Sequence, residues 1–317
     1  MLIENTNILN NDDTGEKEMI QLYDITIDKK ELFDKYFSMK EYEVSDLTFT
    51  NLFIWRKSYR VKYALINDFL CILARYKDNE PFALMPIGTG DIGPVIETLI
   101  EFFKERGTPL ILKSLTKDMI REIESRIPGK FSYKPDRNTF DYVYLSSDLI
   151  KLEGKKYHAK RNHINKFLSL YEYTYHPLTA DLIDDCIEAA ENWCKKKNCQ
   201  ESESLEDEKT AILEALRNFE ALKFKGGIIK IKDKTVAFTL GEQMTKDMAV
   251  IHVEKADPDI PGSYAVINQQ FCEKEWSNVK YINREEDLGI PGLRKAKKSY
   301  HPVRMVEKHV AVLKDKE

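Results

Sequence analysis

The sequence predicts an α/β (α+β) protein of two successive units, each a mixed, mostly antiparallel sheet flanked by helices. Three observations carry this. The chain has 317 residues, enough for two ordinary domains. Hydrophobic residues make up 42% and charged residues 32%, with 15 Phe and 16 Tyr, which suits packed cores and argues against bulk disorder. Strand-like runs and amphipathic helices also follow one another in a similar order twice, and the pattern restarts near Ser147.

Residues 1–17 are polar, without periodicity, and read as a loose tail. A first domain is expected over 18–147. Asp28 is a candidate N-cap for a helix through Phe37, and Ser45 for one over Asp46 to Arg56. Leu47, Phe49, Leu52, Phe53 and Trp55 make the second helix apolar on most sides, so it belongs to the core. Arg60 to Ile66 and Phe69 to Tyr76 flank Asn67-Asp68, a hairpin signal, and Phe82 to Ile87 reads as a third strand. A glycine-containing turn from Gly88 opens a helix to about Arg106, which Gly107-Thr108-Pro109 stops. Leu110 to Leu112 returns to the sheet, Thr116 caps a helix toward Arg126, and Phe131 to Tyr133 and Tyr142 to Leu145 close the half. Gly88, Gly90 and Gly93 superficially match a dinucleotide fingerprint, but the loop comes too late in its unit and lacks the ribose-binding acid.

The second domain, 148–317, begins with a basic helix from Gly154 to Leu170 and a short strand over Tyr173 to His176. Helices capped at Thr179 or Asp181 and at Ser204 follow. Gly227 to Lys232 and Thr235 to Gln243 form a hairpin around Asp233-Lys234, and Met248 to Glu254 adds a third strand. Gly262 to Trp276 is a helix and Val279 to Ile282 a buried strand.

The net charge of −4 supplies no global field for nucleic acid or anionic lipid, so any such affinity must come from a local patch. No run approaches the length of a membrane span, and the N-terminus lacks a signal-peptide layout, so a cytoplasmic location is expected. The five cysteines, Cys71, Cys186, Cys194, Cys199 and Cys272, form no C-x-x-C pair and no zinc spacing. They are expected as reduced thiols, and no metal site is expected. A Ser-His-Asp order, H-E-x-x-H and a P-loop are all absent.

Two stretches concentrate reactive groups. After the buried strand, residues 283–302 read Asn283-Arg284-Glu285-Glu286-Asp287-Leu288-Gly289-Ile290-Pro291-Gly292-Leu293-Arg294-Lys295-Ala296-Lys297-Lys298-Ser299-Tyr300-His301-Pro302. A strand that delivers carboxylates and an Arg to a glycine-containing loop is a common way to place reactive groups at the end of a sheet. A charged surface loop is the alternative reading. Upstream, Gly154-Lys155-Lys156-Tyr157-His158-Ala159-Lys160-Arg161-Asn162-His163-Ile164-Asn165-Lys166-Phe167 places basic groups and amides around a stripe of Tyr157, Ile164 and Phe167. Such a stripe would hold a nucleic-acid backbone or a substrate phosphate, or else be a solvated helix face.

Both stretches resemble motifs of a bacterial family related to the C-terminal catalytic domain of phosphatidylglycerol lysyltransferase, with the resemblance running from about Tyr23 to Val310. It implies two tandem GNAT-like acyltransferase folds, an order that the helices, strand meander, helix and strand of the second half also follow. No internal repeat is visible. In GNAT-type folds the acyl carrier sits where two central strands splay, with its phosphates on a helix start. Here Gly262, Ser263 and Tyr264 are the corresponding cofactor-binding candidates. The segment departs from the usual phosphate loop, and Asp257 and Asp259 would repel a pyrophosphate. A simple capped helix is the other reading. The donor implied is therefore aminoacyl-tRNA or acyl-coenzyme A, with the degraded loop fitting tRNA better and no bound cofactor expected.

Acyl transfer needs a base, oxyanion stabilisation and positioning. Glu285 and Asp287 are the candidate catalytic carboxylates, with Arg294 as catalytic partner and Arg284 beside it. The remaining substrate-binding candidates are Tyr157, His158, Lys160, Arg161, Asn162, Asn165, Glu242, His252, Glu254, Asn283, Arg284, Lys297, Ser299 and Tyr300. His252, alternating with Ile251 and Val253, equally reads as a satisfied core histidine. The expectation is an (amino)acyltransferase acting on an amine or hydroxyl of a small molecule or lipid head group, with tRNA as a partner and no role for DNA. The rivals are an acetyl-coenzyme A-dependent N-acetyltransferase and a non-catalytic ligand-binding module on a transferase scaffold.

Overall fold

The structure is a computed structural model, and it describes residues 20–314. The predicted tail at 1–17 lies outside the described residues. In order, the first elements are β1 (Tyr23–Asp24), α1 (Lys30–Phe37), α2 (Phe49–Trp55), β2 (Lys62–Ile66), β3 (Phe69–Ala74), β4 (Phe82–Leu84) and β5 (Ile87–Gly88). Then come α3 (Ile92–Glu105), β6 (Ile111–Leu115), α4 (Lys117–Arg126) and β7 (Phe131–Pro135). They are followed by β8 (Asp141–Leu145), α5 (Ser146–Lys151), α6 (His158–Leu170), β9 (Thr174–Pro177), α7 (Ile183–Lys196) and α8 (Glu203–Arg217). The chain ends with β10 (Lys225–Ile231), β11 (Lys234–Thr245), β12 (Met248–Ala256), α9 (Ser263–Glu275), β13 (Tyr281–Asn283), α10 (Pro291–Lys298), β14 (Arg304–Val306) and β15 (His309–Leu313).

The described residues divide into a unit of 20–137 with 307–314 and a unit of 138–306. The first unit carries the strand order β1-β2-β3-β4-β6-β15-β7, with β5 also paired to β3. Thr116 accepts a hydrogen bond from the Met119 amide at 3.3 Å and starts α4, as its position before a helical run suggests. Asp91 caps α3 by accepting from the Gly93 amide at 2.9 Å, so the glycine turn ends in an ordinary capped helix. The second unit has the order β14-β8-β13-β12-β11-β10-β9. In both units a strand meander leads through a helix to a parallel neighbour, β4 with β6 and β12 with β13. This is the tandem GNAT-like architecture.

Two strands lie elsewhere than expected. β8, placed by the sequence reading at the end of the first domain, pairs antiparallel with β13 and β14 in the second unit. Residues 309–313, placed in the second domain, form β15 between β6 and β7 of the first. The division thus falls at Arg137, not Ser147, and the C-terminal strand returns to the first unit. Just before β15, the buried Lys308 ammonium donates to Ser45 Oγ at 3.2 Å and Asp46 Oδ2 at 2.5 Å, which fastens the returning strand. The thiol expectation also needs correction. Cys194 and Cys199 are disulfide-bonded, because the turn after α7 brings their Cα atoms to 5.2 Å, while Cys71, Cys186 and Cys272 are buried thiols. Among the described residues no helix is long and apolar enough to cross a membrane.

Candidate active site

β12 and β13 pair only over Met248–Val250 and Tyr281–Asn283. Beyond that point β12 runs on to Ala256 beside β11, while the chain after Asn283 turns away, so the strands splay. β12 also carries a bulge there. Leu240 of β11 faces Val253 and Gly241 faces Ile251, which leaves His252 as the extra residue. A Cβ on Gly241 would meet the Val250 carbonyl oxygen at 2.6 Å, so glycine is required opposite the bulge.

Two polar clusters meet at the splay. In the first, His252 has a fully buried side chain, with Nδ1 at 2.8 Å from Glu285 Oε1 and Nε2 at 2.9 Å from Glu242 Oε1. Burial opposes its charging, but the two carboxylates outweigh this and lift its pKa to about 10. In the second, Arg284 Nη2 donates to Glu254 Oε1 at 2.8 Å, and Asn268 Nδ2 of α9 donates to Glu254 Oε2 at 3.0 Å. The Arg284 guanidinium lies 4.8 Å from the Tyr300 ring and 5.8 Å from the Tyr144 ring. Its Nη1 is buried without a hydrogen-bond partner. Lys160, from α6, sits with Nζ 3.7 Å from the Tyr300 ring centre. Desolvation first, then the nearby Arg284 charge, pull its pKa down to about 8. Lys297 of α10 donates to the Arg284 carbonyl oxygen, and burial lowers its pKa to about 8 as well.

The loop after β13 is clamped. Asp287, with a side chain closed to solvent, accepts from Arg294 Nε at 2.9 Å and Nη2 at 2.7 Å, from Tyr142 OH at 2.6 Å and from the Gly289 amide at 2.9 Å. Burial alone would raise its pKa, yet these donors hold it well below the usual carboxylate range. The three residues expected as catalytic all have partners within the chain. Asp287 cannot take a proton near neutral pH, Arg294 is its bidentate partner, and Glu285 is committed to His252. Glu285, Leu288 and Gly289 have φ of 55°, 50° and 74°, so the loop is a sharply turned one.

Several substrate-binding candidates are hydrogen-bonded within the chain. Asn283, fully buried, donates to Asp141 Oδ2 at 3.1 Å and accepts from the Glu285 amide at 2.7 Å. Tyr157 donates to Asp148 Oδ2 and to the Tyr300 carbonyl oxygen, each at 3.1 Å. Arg161 donates to the Leu152 and Gly154 carbonyl oxygens, and Ser299 to that of Ala296 at 2.6 Å. His158, Asn162 and Asn165 are exposed on α6, with Asn162 Nδ2 at 3.2 Å from His158 Nε2. Of the residues expected in the site, Lys160, Glu254, Arg284 and Tyr300 lie together, and Asn268 and Tyr144, which were not named from the sequence, lie beside them. Tyr144 lies on the strand assigned to the other domain, and Asn268 looks like any amide in a helix.

The cofactor-binding expectation at the start of α9 meets an obstacle. A Cβ on Gly262 (φ 88°) would lie 2.3 Å from the His163 carbonyl oxygen, so α6 packs directly on this helix start. Ser263 is buried and donates to the Asp257 carbonyl oxygen at 3.1 Å. Tyr264 alone of the three is exposed. A cavity lined by Trp193, Lys255, Ala256 and Asp257 lies beside the start of α9, next to Tyr264 and Ser263, and another lies in the first unit beside Met85 and Met119.

Two units share one strand–helix–strand course, and a charged cluster lies at the splay of the second. The comparisons narrow this. Residues 38–312 match the family described as phosphatidylglycerol lysyltransferase, C-terminal, and the chain belongs to that family. It is similar to a conserved protein of unknown function from Bacteroides thetaiotaomicron VPI-5482, with 41% identity and a TM-score of 0.87 over 93% of this chain and 100% of that one. It shares the fold of the C-terminal domain of a putative lysylphosphatidylglycerol synthetase from Agrobacterium fabrum, at 13% identity and TM-score 0.64, covering 91% and 92%. It shares it also with L-PGS from Bacillus licheniformis, at 14% and 0.60, covering 90% and 92%. Comparison with curated proteins finds no match.

Proposed function

We propose that the second unit transfers an aminoacyl group from aminoacyl-tRNA to an amine or hydroxyl acceptor, such as a lipid head group. The observation that carries the reading is the cluster at the splay, where Lys160, with its pKa near 8, and Arg284 of the Glu254–Arg284 pair both lie against the Tyr300 ring. An amine with that pKa is partly neutral near neutral pH, as a general base must be. In the proposed step the acceptor's N–H or O–H loses its proton to Lys160 as its heteroatom bonds to the acyl carbon. The ester C–O bond to the tRNA ribose then breaks, and the ribose oxygen takes up a proton. The Arg284 guanidinium, kept oriented by Glu254, supplies positive charge that stabilises the developing oxyanion through space.

The contact of α6 with Gly262 disfavours a coenzyme A pyrophosphate at the start of α9 and so supports a tRNA donor over a thioester. The exposed Lys155, Lys156, His163 and Lys166 on and before α6 offer a surface for backbone phosphates. The family's name motivates the first trial: purified protein, charged lysyl-tRNA, and vesicles containing phosphatidylglycerol, with soluble amines in parallel. Lys160→Met should lower transfer by about 100-fold or more, the usual worth of a positioned base. Unchanged transfer in that variant, or micromolar coenzyme A binding with thioester-dependent acylation, would overturn the reading.

A further inference from the structure

Backbone pairing between β12 and β13 ends at Val250 and Asn283, so no ladder hydrogen bond between these two strands spans the gap beyond it. Two side-chain links cross that gap instead, His252 to Glu285 and Glu254 to Arg284. The first has an unusual chemistry. A neutral imidazole carries one N–H, yet both ring nitrogens of His252 face carboxylate oxygens, at 2.8 and 2.9 Å. Both must donate, and the ring between Glu242 and Glu285 is a cation. It is also shut away from water, so it touches no substrate. The groups around it are Glu242 of β11, Glu285 of the loop and, edge-on at 5.9 Å between ring centres, Phe224 before β10. Lys297 lies near Glu285 and acts on it electrostatically.

We propose that His252 is a positioning residue, the brace that fixes the opening between β12 and β13 and so places Arg284 against Glu254 and Lys160. The physical reason is the arrangement of the chain at this point. Glu285 sits with φ 55°, a conformation disfavoured for a side chain with a Cβ, and its carboxylate bond to His252 helps to hold it there. Its neighbour Arg284 has no freedom to move independently, since the Arg284 amide donates to the Tyr142 carbonyl oxygen at 2.9 Å and the Tyr142 amide to that of Glu285 at 3.1 Å. The bulge that makes His252 the extra residue is what lets β12 present an imidazole at the mouth of the splay. Without the cation, Glu242 and Glu285 would face one another across a dry space and repel, pushing the loop outward and Arg284 with it.

The inference rests on reading the Lys160–Arg284–Glu254 cluster as the reacting centre, but its test needs no transfer assay, so a failed activity trial and a failed brace are distinguishable. The readout is the titration of Lys160, followed by pulse acylation with acetic anhydride across a pH series and quantified by peptide mass spectrometry. The half-buried Lys230 on β10 of the second unit, together with lysines of the first unit, is the internal reference. In the parent protein the Lys160 midpoint is expected near 8. In His252→Gln, Arg284 moves away from Lys160 and the midpoint rises by about half a unit or more. A general loss of packing would shift the reference lysines' reactivity too, whereas the brace shifts Lys160. A folded His252→Gln protein with an unchanged Lys160 midpoint overturns the proposal. Should that variant not fold, nitrogen-detected NMR of the parent protein decides. Two protonated ring nitrogens on His252 at about pH 8 support the brace, and a neutral tautomer refutes it.

Discussion

Replacing Asp287 by Asn tests whether the loop after β13 is held by charge. The carboxylate is closed to solvent and accepts four hydrogen bonds, two from Arg294 and one each from Tyr142 and the Gly289 amide. Asn keeps the shape and one acceptor oxygen but turns an NH2 group toward donors. Leaving one member of a buried ion pair uncompensated costs about 3–5 kcal/mol. The Arg294 side chain is 31% exposed and recovers part of its hydration, which lowers the expected loss to about 2–3 kcal/mol. For a unit of this size that is a fall in the melting temperature of about 4–12 °C, read by calorimetry in the transition assigned to the second unit. The pH dependence has a definite sign. The folded-state pKa of Asp287 is depressed, so its contribution is complete above the ordinary carboxylate range near about 4 and is lost as pH falls through the lower folded value. The gap between parent and variant should therefore be constant at neutral pH and close progressively in acid. A loss below about 0.5 kcal/mol, or a gap that persists unchanged down to about pH 2, would refute the clamp.

Three further outcomes are expected. Gly262→Ala sets a Cβ 2.3 Å from the His163 carbonyl oxygen at a left-handed φ, so it should cost about 2 kcal/mol or more in chemical denaturation, with α6 displaced. Glu254→Gln leaves the Arg284 guanidinium buried without its counter-charge, and should cost about 3 kcal/mol and lower transfer at once; a stable, fully active variant would remove Glu254 from the site. Thiol counting in denaturant should find three reactive cysteines before reduction and all five after it. Five before reduction would show that the Cys194–Cys199 bond does not form in solution.

What the sequence determined by itself was local. Apolar periodicity, a Thr cap at Thr116 and the Asn67-Asp68 turn are properties of a few neighbouring residues, and the helices and hairpins they announce are where they should be. The two charged stretches were visible for the same reason, since their composition and order are written contiguously, and with them came Lys160, Arg284 and Tyr300, while Glu254 came from the strand over Met248 to Glu254. Tertiary structure alone decided which strands share a sheet. β8 and β15 are short apolar runs that would fit either unit, and only pairing over long sequence separation assigns Tyr144 to the site and His309–Leu313 to the first sheet. It decided protonation as well. Nothing in the order of residues 283–302 says that Asp287 meets four donors or that His252 meets two carboxylates, because a pKa is set by desolvation and by charges brought within a few ångströms by folding. Hence the two carboxylates that composition singled out are found bonded to Arg294 and Tyr142 and to His252, and burial, not sequence order, is what lowers the Lys160 pKa.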